Sequence, residues 1–168
     1  MTTPGAASPS TAKRGVARDP SEALRQLEDR AAIADVVHTY ALNIRDGAGA
    51  ACADLFVQDA VFEMFDSDPV DLSPRLRARI EGRDAIIAHI AGASKAGARV
   101  CPMIHNLTIR IDGDVAESAC TMNAITIPGG HELIGAYRDR FRYDVDAWRF
   151  TARAHTILLH RPSAAAGS

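Results

Sequence analysis

Positions 136–145, AYRDRFRYDV, separate by parity: Tyr137, Asp139, Phe141 and Tyr143 fall on one side, and Arg138, Arg140 and Arg142 on the other. Alternation with period two marks a strand with one buried and one wet face. The arginines are expected outward and the aromatics inward, which puts Asp139 on the aromatic side. An ionised carboxylate there is costly unless it is paired, hydrogen-bonded or neutralised by a raised pKa. In a cavity it would act as a general acid or base, or as a protonated donor to a developing oxyanion. The alternatives are a buried Asp tied to a neighbouring Arg or backbone amide, and a bulge that turns it outward.

Upstream, the period changes. Leu24, Leu27, Ala31, Ala34, Val37, Tyr40, Ala41 and Ile44 recur at helical spacing, with Asp19 as N-cap, Pro20 at the first helical position and Gly47 and Gly49 ending the run. A short second helix is expected near residues 50–56, a strand at DAVFEMF, a polar loop with two prolines over 66–81, and a third helix in GRDAIIAHIAGAS. The rest reads as antiparallel sheet. In HNLTIRI, His105 shares a face with Leu107, Ile109 and Ile111; DGD at 112–114 is a hairpin turn into VAESACTMNAITI. After PGG at 128–130 comes the alternating strand, and then WRFTARAHTILL. There Trp148, Phe150, Ala152, Ala154 and Thr156 lie on one face, with Arg149, Thr151, Arg153 and His155 on the other. Helices followed by hairpin-linked strands predict an α+β fold, with helices packed on one face of a curved sheet and a cavity in the concavity.

Composition narrows the functional classes. The 168 residues suit one domain over 19–160, between disordered tails at 1–18 and 161–168. A net charge of −2 without a basic stripe disfavours nucleic acid. No apolar run nears the roughly 20 residues that span a bilayer, and no apolar segment follows Lys13 and Arg14 as in a secretory signal. Cys52, Cys101 and Cys120 lack metal or redox spacing and are expected as reduced thiols of a cytoplasmic protein. No metal-ligand spacing, glycine-rich phosphate loop or GxSxG is found, so neither metal nor other cofactor is expected.

What is left is proton chemistry in an apolar cup, or plain ligand binding. Tyr40 on the helix stripe can aim its phenol into the pocket, or sit in the core with its hydroxyl satisfied. His105 is an acid/base candidate, set against a structural core histidine. Asp46, in RDG, is a second proton carrier or a turn residue. Phe62, Met64, Asn123, Tyr137, Phe141 and Trp148 are the expected lining, with Glu63 a further polar candidate.

LEDRAAIADVVHTYALNIRDG, ADLFVQDAVFE, EGRDAIIAHI, HNLTIRIDGDVAESA and GAYRDRFRYDVDAWRFTARAH occur in an order and spacing that resembles SnoaL-like proteins. These belong to the superfamily of nuclear transport factor 2, ketosteroid isomerase and scytalone dehydratase. The resemblance covers roughly residues 21–160 and implies a cone-shaped curved antiparallel sheet closed by N-terminal helices. TYALN resembles the helix carrying the isomerase's oxyanion-binding tyrosine, at Tyr40; RDRFRY resembles the strand carrying its neutral, hydrogen-bond-donating Asp, at Asp139. The isomerase's proton-abstracting Asp would fall near Met64, which cannot act as a base. The dehydratase histidine falls on Pro102 by direct counting and on His105 with a local shift; the acid after the helix tyrosine falls on Arg45, with Asp46 beside it.

The expectation is a cofactor-free isomerase, dehydratase or cyclase acting on a small apolar carbonyl compound such as a polyketide, terpenoid or steroid. Tyr40 and Asp139 would bind the oxygen, and His105 or Asp46 would move the proton. A homodimer through the outer sheet face is expected. The rivals are a non-catalytic binding module on the same scaffold and, third, hydrolysis of a small epoxide.

Overall fold

The computed structural model describes residues 19–68, 70–71, 73–94 and 99–161. The expected tail 1–18 and the terminal PSAAAGS lie outside the described residues, and Arg161 closes the last strand. Helix α1 (Pro20–Arg45) starts as its sequence predicts, with Asp19 accepting from the Ser21 amide at 3.1 Å. Past its end, Gly47 adopts φ 71°, a left-handed turn that glycine enters without steric cost. Its buried residues are Ile33, Val37, Tyr40 and Ala41, whereas Leu24 and Leu27 are exposed. The apolar stripe therefore engages the sheet only towards the C-terminal half.

A 3-10 helix (Gly49–Leu55) leads into β1 (Phe56–Ser67). Strand β2 (Pro74–Glu81) occupies much of the expected loop at 66–81. Its signal was the alternation of Leu76, Ala78 and Ile80 with Arg75, Arg77 and Arg79; Pro74 is tolerated as the first residue of an edge strand. Then follow α2 (Arg83–Ser94), β3 (Arg99–Asp112), β4 (Val115–Ile127), β5 (Glu132–Asp144) and β6 (Ala147–Arg161). The sheet runs β2-β1-β6-β5-β4-β3, curved and unclosed, with helices on its inner face. It is antiparallel except for β1 against β6, which pair in parallel.

Two irregularities decide which side chains face inward. In β6, Phe150 pairs with Phe141 but Ala152 pairs with Arg140, so Thr151 is an extra residue that reverses the parity of the strand. Trp148 and Phe150 face inward before it; Arg153 and His155 face inward after it. This corrects the expectation that Arg153 and His155 lie opposite the aromatics. In β3, the register slips between His105 and Thr108, where Asn106 takes φ 55°, a left-handed conformation that Asn tolerates. Leu107, Ile109 and Ile111 pack against the core, whereas His105 is exposed on the outer face, opposite Thr121.

The core divides into two clusters. Ile33, Val37, Phe56, Phe62, Phe141, Trp148 and Phe150 belong to the larger; Cys120, Met122, Ala124 and Tyr137 form the smaller. Trp148 Nε1 donates to Asp29 Oδ1 at 2.9 Å, fastening one end of the sheet to α1. Ser118, Asp139 and Arg153 stand side by side across β4, β5 and β6. Arg153 donates to Asp139 from Nε (2.8 Å) and Nη2 (3.0 Å), and Ser118 Oγ donates to it at 3.3 Å. Both charged side chains are fully buried.

Breaking a buried pair strands one charge and costs about 3–5 kcal/mol, whereas replacing both partners with apolar groups of similar size is often neutral. Arg153→Met should therefore lose about 3–5 kcal/mol in urea denaturation, and adding Asp139→Leu should recover most of it. An Arg153→Met protein as stable as wild type would overturn this account.

Candidate active site

Tyr40 and Ile44 of α1, Phe62 and Met64 of β1, His89 and Ile90 of α2, Arg99, Val100 and Pro102 of β3, Tyr137 of β5 and His155 of β6 enclose a cavity of about 160 Å³. Each arrives by local geometry. Tyr40 is on the buried stripe of α1, and Phe62 and Met64 share a face of β1 whose sheet neighbours on β6 are Arg153 and His155. His155 is turned inward by the Thr151 bulge. Gly135 makes room for it: a Cβ there would lie 3.1 Å from His155 Nε2 and 2.8 Å from the Thr156 carbonyl oxygen.

Beside this wall, the Arg153 guanidinium is stacked among rings, its Cζ 4.1 Å from the centres of both Tyr40 and Tyr137 and 4.4 Å from that of Phe150. Burial works against its charge, but the Asp139 carboxylate, through its charge and hydrogen bonds, more than reverses this and raises the guanidinium pKa. The cation is permanent. Burial also raises the Tyr40 pKa, and it pushes Tyr137 up to about 12, with Arg153 opposing in each case. Both stay neutral phenols, hence donors, at physiological pH.

The Tyr137 and His155 rings are 4.9 Å apart. Burial, then Arg153, then Arg77 push the His155 imidazole down to about 4, so it is neutral at pH 7. Its Nε2 and Arg153 Nη1 are buried with no hydrogen-bond partner among the described residues. Buried polar atoms are nearly always satisfied, so orphans on two residues of the same face of β6 are notable.

Of the residues expected at the site, Tyr40, Phe62, Met64 and Tyr137 line the cavity. Asp139 is inward, as the alternation predicts, but its oxygens are engaged by Arg153 and Ser118; the arginine-tied alternative is the one observed. Asp46 is exposed at the end of α1, held by Arg45 Nε at 2.8 Å. Asn123 lies on the outer face, opposite Met103, and Glu63 faces outward to pair with Arg79. Phe141 and Trp148 are in the core, away from the cavity; Tyr143 is exposed. His155, His89 and Arg99 line it without having been expected. Only a bulge-aware reading of WRFTARAHTILL could have brought His155 inward. Among the described residues, no three His, Cys, Asp or Glu side chains form a metal-holding group, and no helix is long and apolar enough to cross a membrane.

The model of the SnoaL-like domain family matches residues 25–154. No curated protein matches the chain. Among solved structures, an NTF2-like protein with a cystatin-like fold from Novosphingobium aromaticivorans is 25% identical, covering 87% of this chain and 90% of its own, with TM-score 0.66. A protein from the same organism proposed to be a scytalone dehydratase is 18% identical over 87% and 95%, with TM-score 0.68. A proposed dehydratase of the NTF2-like family from Streptomyces avermitilis is 14% identical over 80% and 99%, with TM-score 0.65.

His155 makes stability depend on pH. Its folded pKa is about 4 against an unfolded value near 6.5, so the unfolded chain binds the extra proton as pH falls through that window. Stability should drop by up to about 3 kcal/mol between pH 6.5 and 4 and be retained above it. Urea melts of wild type and His155→Gln across this range check it; an identical pH slope in the variant would refute the assignment.

Proposed function

The chain belongs to the SnoaL-like domain family, and from that premise we propose that the inner cavity is a cofactor-independent acid/base site. It would catalyse isomerisation, dehydration or cyclisation of a small carbonyl compound. The observation that carries this reading is the pairing, in one cavity, of a neutral phenol, Tyr40, with a neutral, inward-turned imidazole, His155. The Tyr40 hydroxyl donates to the substrate carbonyl. His155 takes a proton from the adjacent carbon, and the C–H electron pair moves into the enolate, whose charge falls on the oxygen that Tyr40 holds. A base with pKa about 4 is weak, but at pH 7 it is almost wholly in the accepting form. Arg153, beneath Tyr40 and Tyr137, supplies a fixed positive charge towards the developing anion.

Volume limits the ligand. A cavity of about 160 Å³ is near the size that holds benzene, about 150 Å³. A single ring fits it far better than a four-ring steroid. Dehydration is also the activity proposed for two of the similar structures. The binding-module reading draws support from Met64, which lines the cavity and has no proton to move. The outer face, where Met103 and Ile125 are exposed beside small residues, would bury itself in a homodimer.

Deuterium exchange into the α-positions of a panel of single-ring ketones, followed by NMR in D2O, tests the catalytic reading. Wild type should exceed buffer; Tyr40→Phe and His155→Gln should each lose about 10²–10³-fold while keeping wild-type circular dichroism. Binding without exchange, or exchange unchanged in both variants, removes the enzyme reading. Sedimentation at twice 18.0 kDa would support the dimer, and a single 18.0 kDa species would overturn it.

A further inference from the structure

The charges around the inner cavity are one-sided. Among the described residues, no carboxylate lines it and Arg99 is the one permanently charged lining residue, at the edge beside the turn after α1. Arg99 is exposed and forms no ion pair among the described residues. The acid of that turn, Asp46, feels the charge of Arg99 but accepts its hydrogen bonds from Arg45, at 2.8 and 3.2 Å. Arg99 packs beside Gly47, where a Cβ would lie in ordinary contact, 3.9 Å from Arg99 Nε. Further in, Arg153 is paired with Asp139 but keeps one nitrogen, Nη1, with no hydrogen-bond partner among the described residues. Arg77, which also acts on His155, is partly balanced by Asp66 at 3.6 Å. An anionic group at the mouth would be attracted by Arg99, and a cationic one repelled.

We propose that Arg99 is a specificity residue that binds a carboxylate on the substrate, so that the cavity takes a single-ring carboxylic acid with its ring inward and its acid group at the mouth. The guanidinium fork matches a carboxylate's two oxygens in geometry and in charge. The apolar walls, Ile44, Phe62, Met64, Ile90 and Val100, take the ring. This inference rests on the inner cavity being the substrate site, but not on catalysis there.

Calorimetric titration of the full chain with benzoate and with its neutral counterpart benzamide, both one-ring probes, tests it. Wild type should bind benzoate at least tenfold more tightly. Arg99→Gln should abolish that preference and leave benzamide affinity within twofold. Arg138→Gln, on the outer face, should keep it. Equal affinity of the two probes in wild type, a preference that survives Arg99→Gln, or no binding of either probe overturns the proposal. A preference lost with Arg99 in a protein that exchanges no α-protons leaves it standing and removes the acid/base reading alone.

Discussion

The buried bidentate contact between Arg153 and Asp139 is the constraint around which the inner face is arranged. Neither charge could be there alone, since moving an unpaired ion from water into an apolar interior costs several kcal/mol or more. Together, with Ser118 adding a hydrogen bond, they leave one guanidinium nitrogen unmatched and three aromatic rings against the cation. The contact exists because Thr151 bulges out of the ladder. Were Thr151 instead paired with Arg140, Ala152 would stand opposite Asp139, and Arg153 would face solvent beside Arg138.

The same pair sets the electrostatics of the cavity. Its carboxylate is spent on its partner, so the field felt by Tyr40, Tyr137 and His155 carries the sign of the guanidinium. A positive neighbour works against protonating His155, and it limits how far burial raises the two phenols. The neutral imidazole is thus a consequence of burial and of the cation together, whereas the phenols stay neutral through burial, against the cation. Asp139 does not itself line the cavity: it fixes Arg153 by two hydrogen bonds, and its charge helps to raise the pKa of Tyr40 and Tyr137.

The architecture was legible because it rests on repeated signals: a helical period with its cap at Asp19 and Pro20, and alternation in β5 that survives into the structure. The inward position of Asp139 was likewise readable from parity alone. Parity fails at a bulge, because one extra residue exchanges the two faces. His105 was placed inward beside the irregular Asn106, and Arg153 and His155 were placed outward because they follow the Thr151 bulge. Neither Asn nor Thr announces a bulge by composition. β2 was lost to its prolines, and Arg99 could not be found by pattern because its role depends on where α1 ends and β3 begins.

The departure at Met64 then takes on a different meaning. Met64 and His155 are direct partners in the β1–β6 ladder, on the same inward face. A carboxylate at 64 would sit beside the imidazole and favour its protonated form, and it would also compete with Asp139 for Arg153. Either effect would cost the site its neutral imidazole or its fixed cation. A thioether does neither, and fills apolar space against the ligand. On the acid/base reading, the proton acceptor stands one strand across from Met64, at its register partner His155.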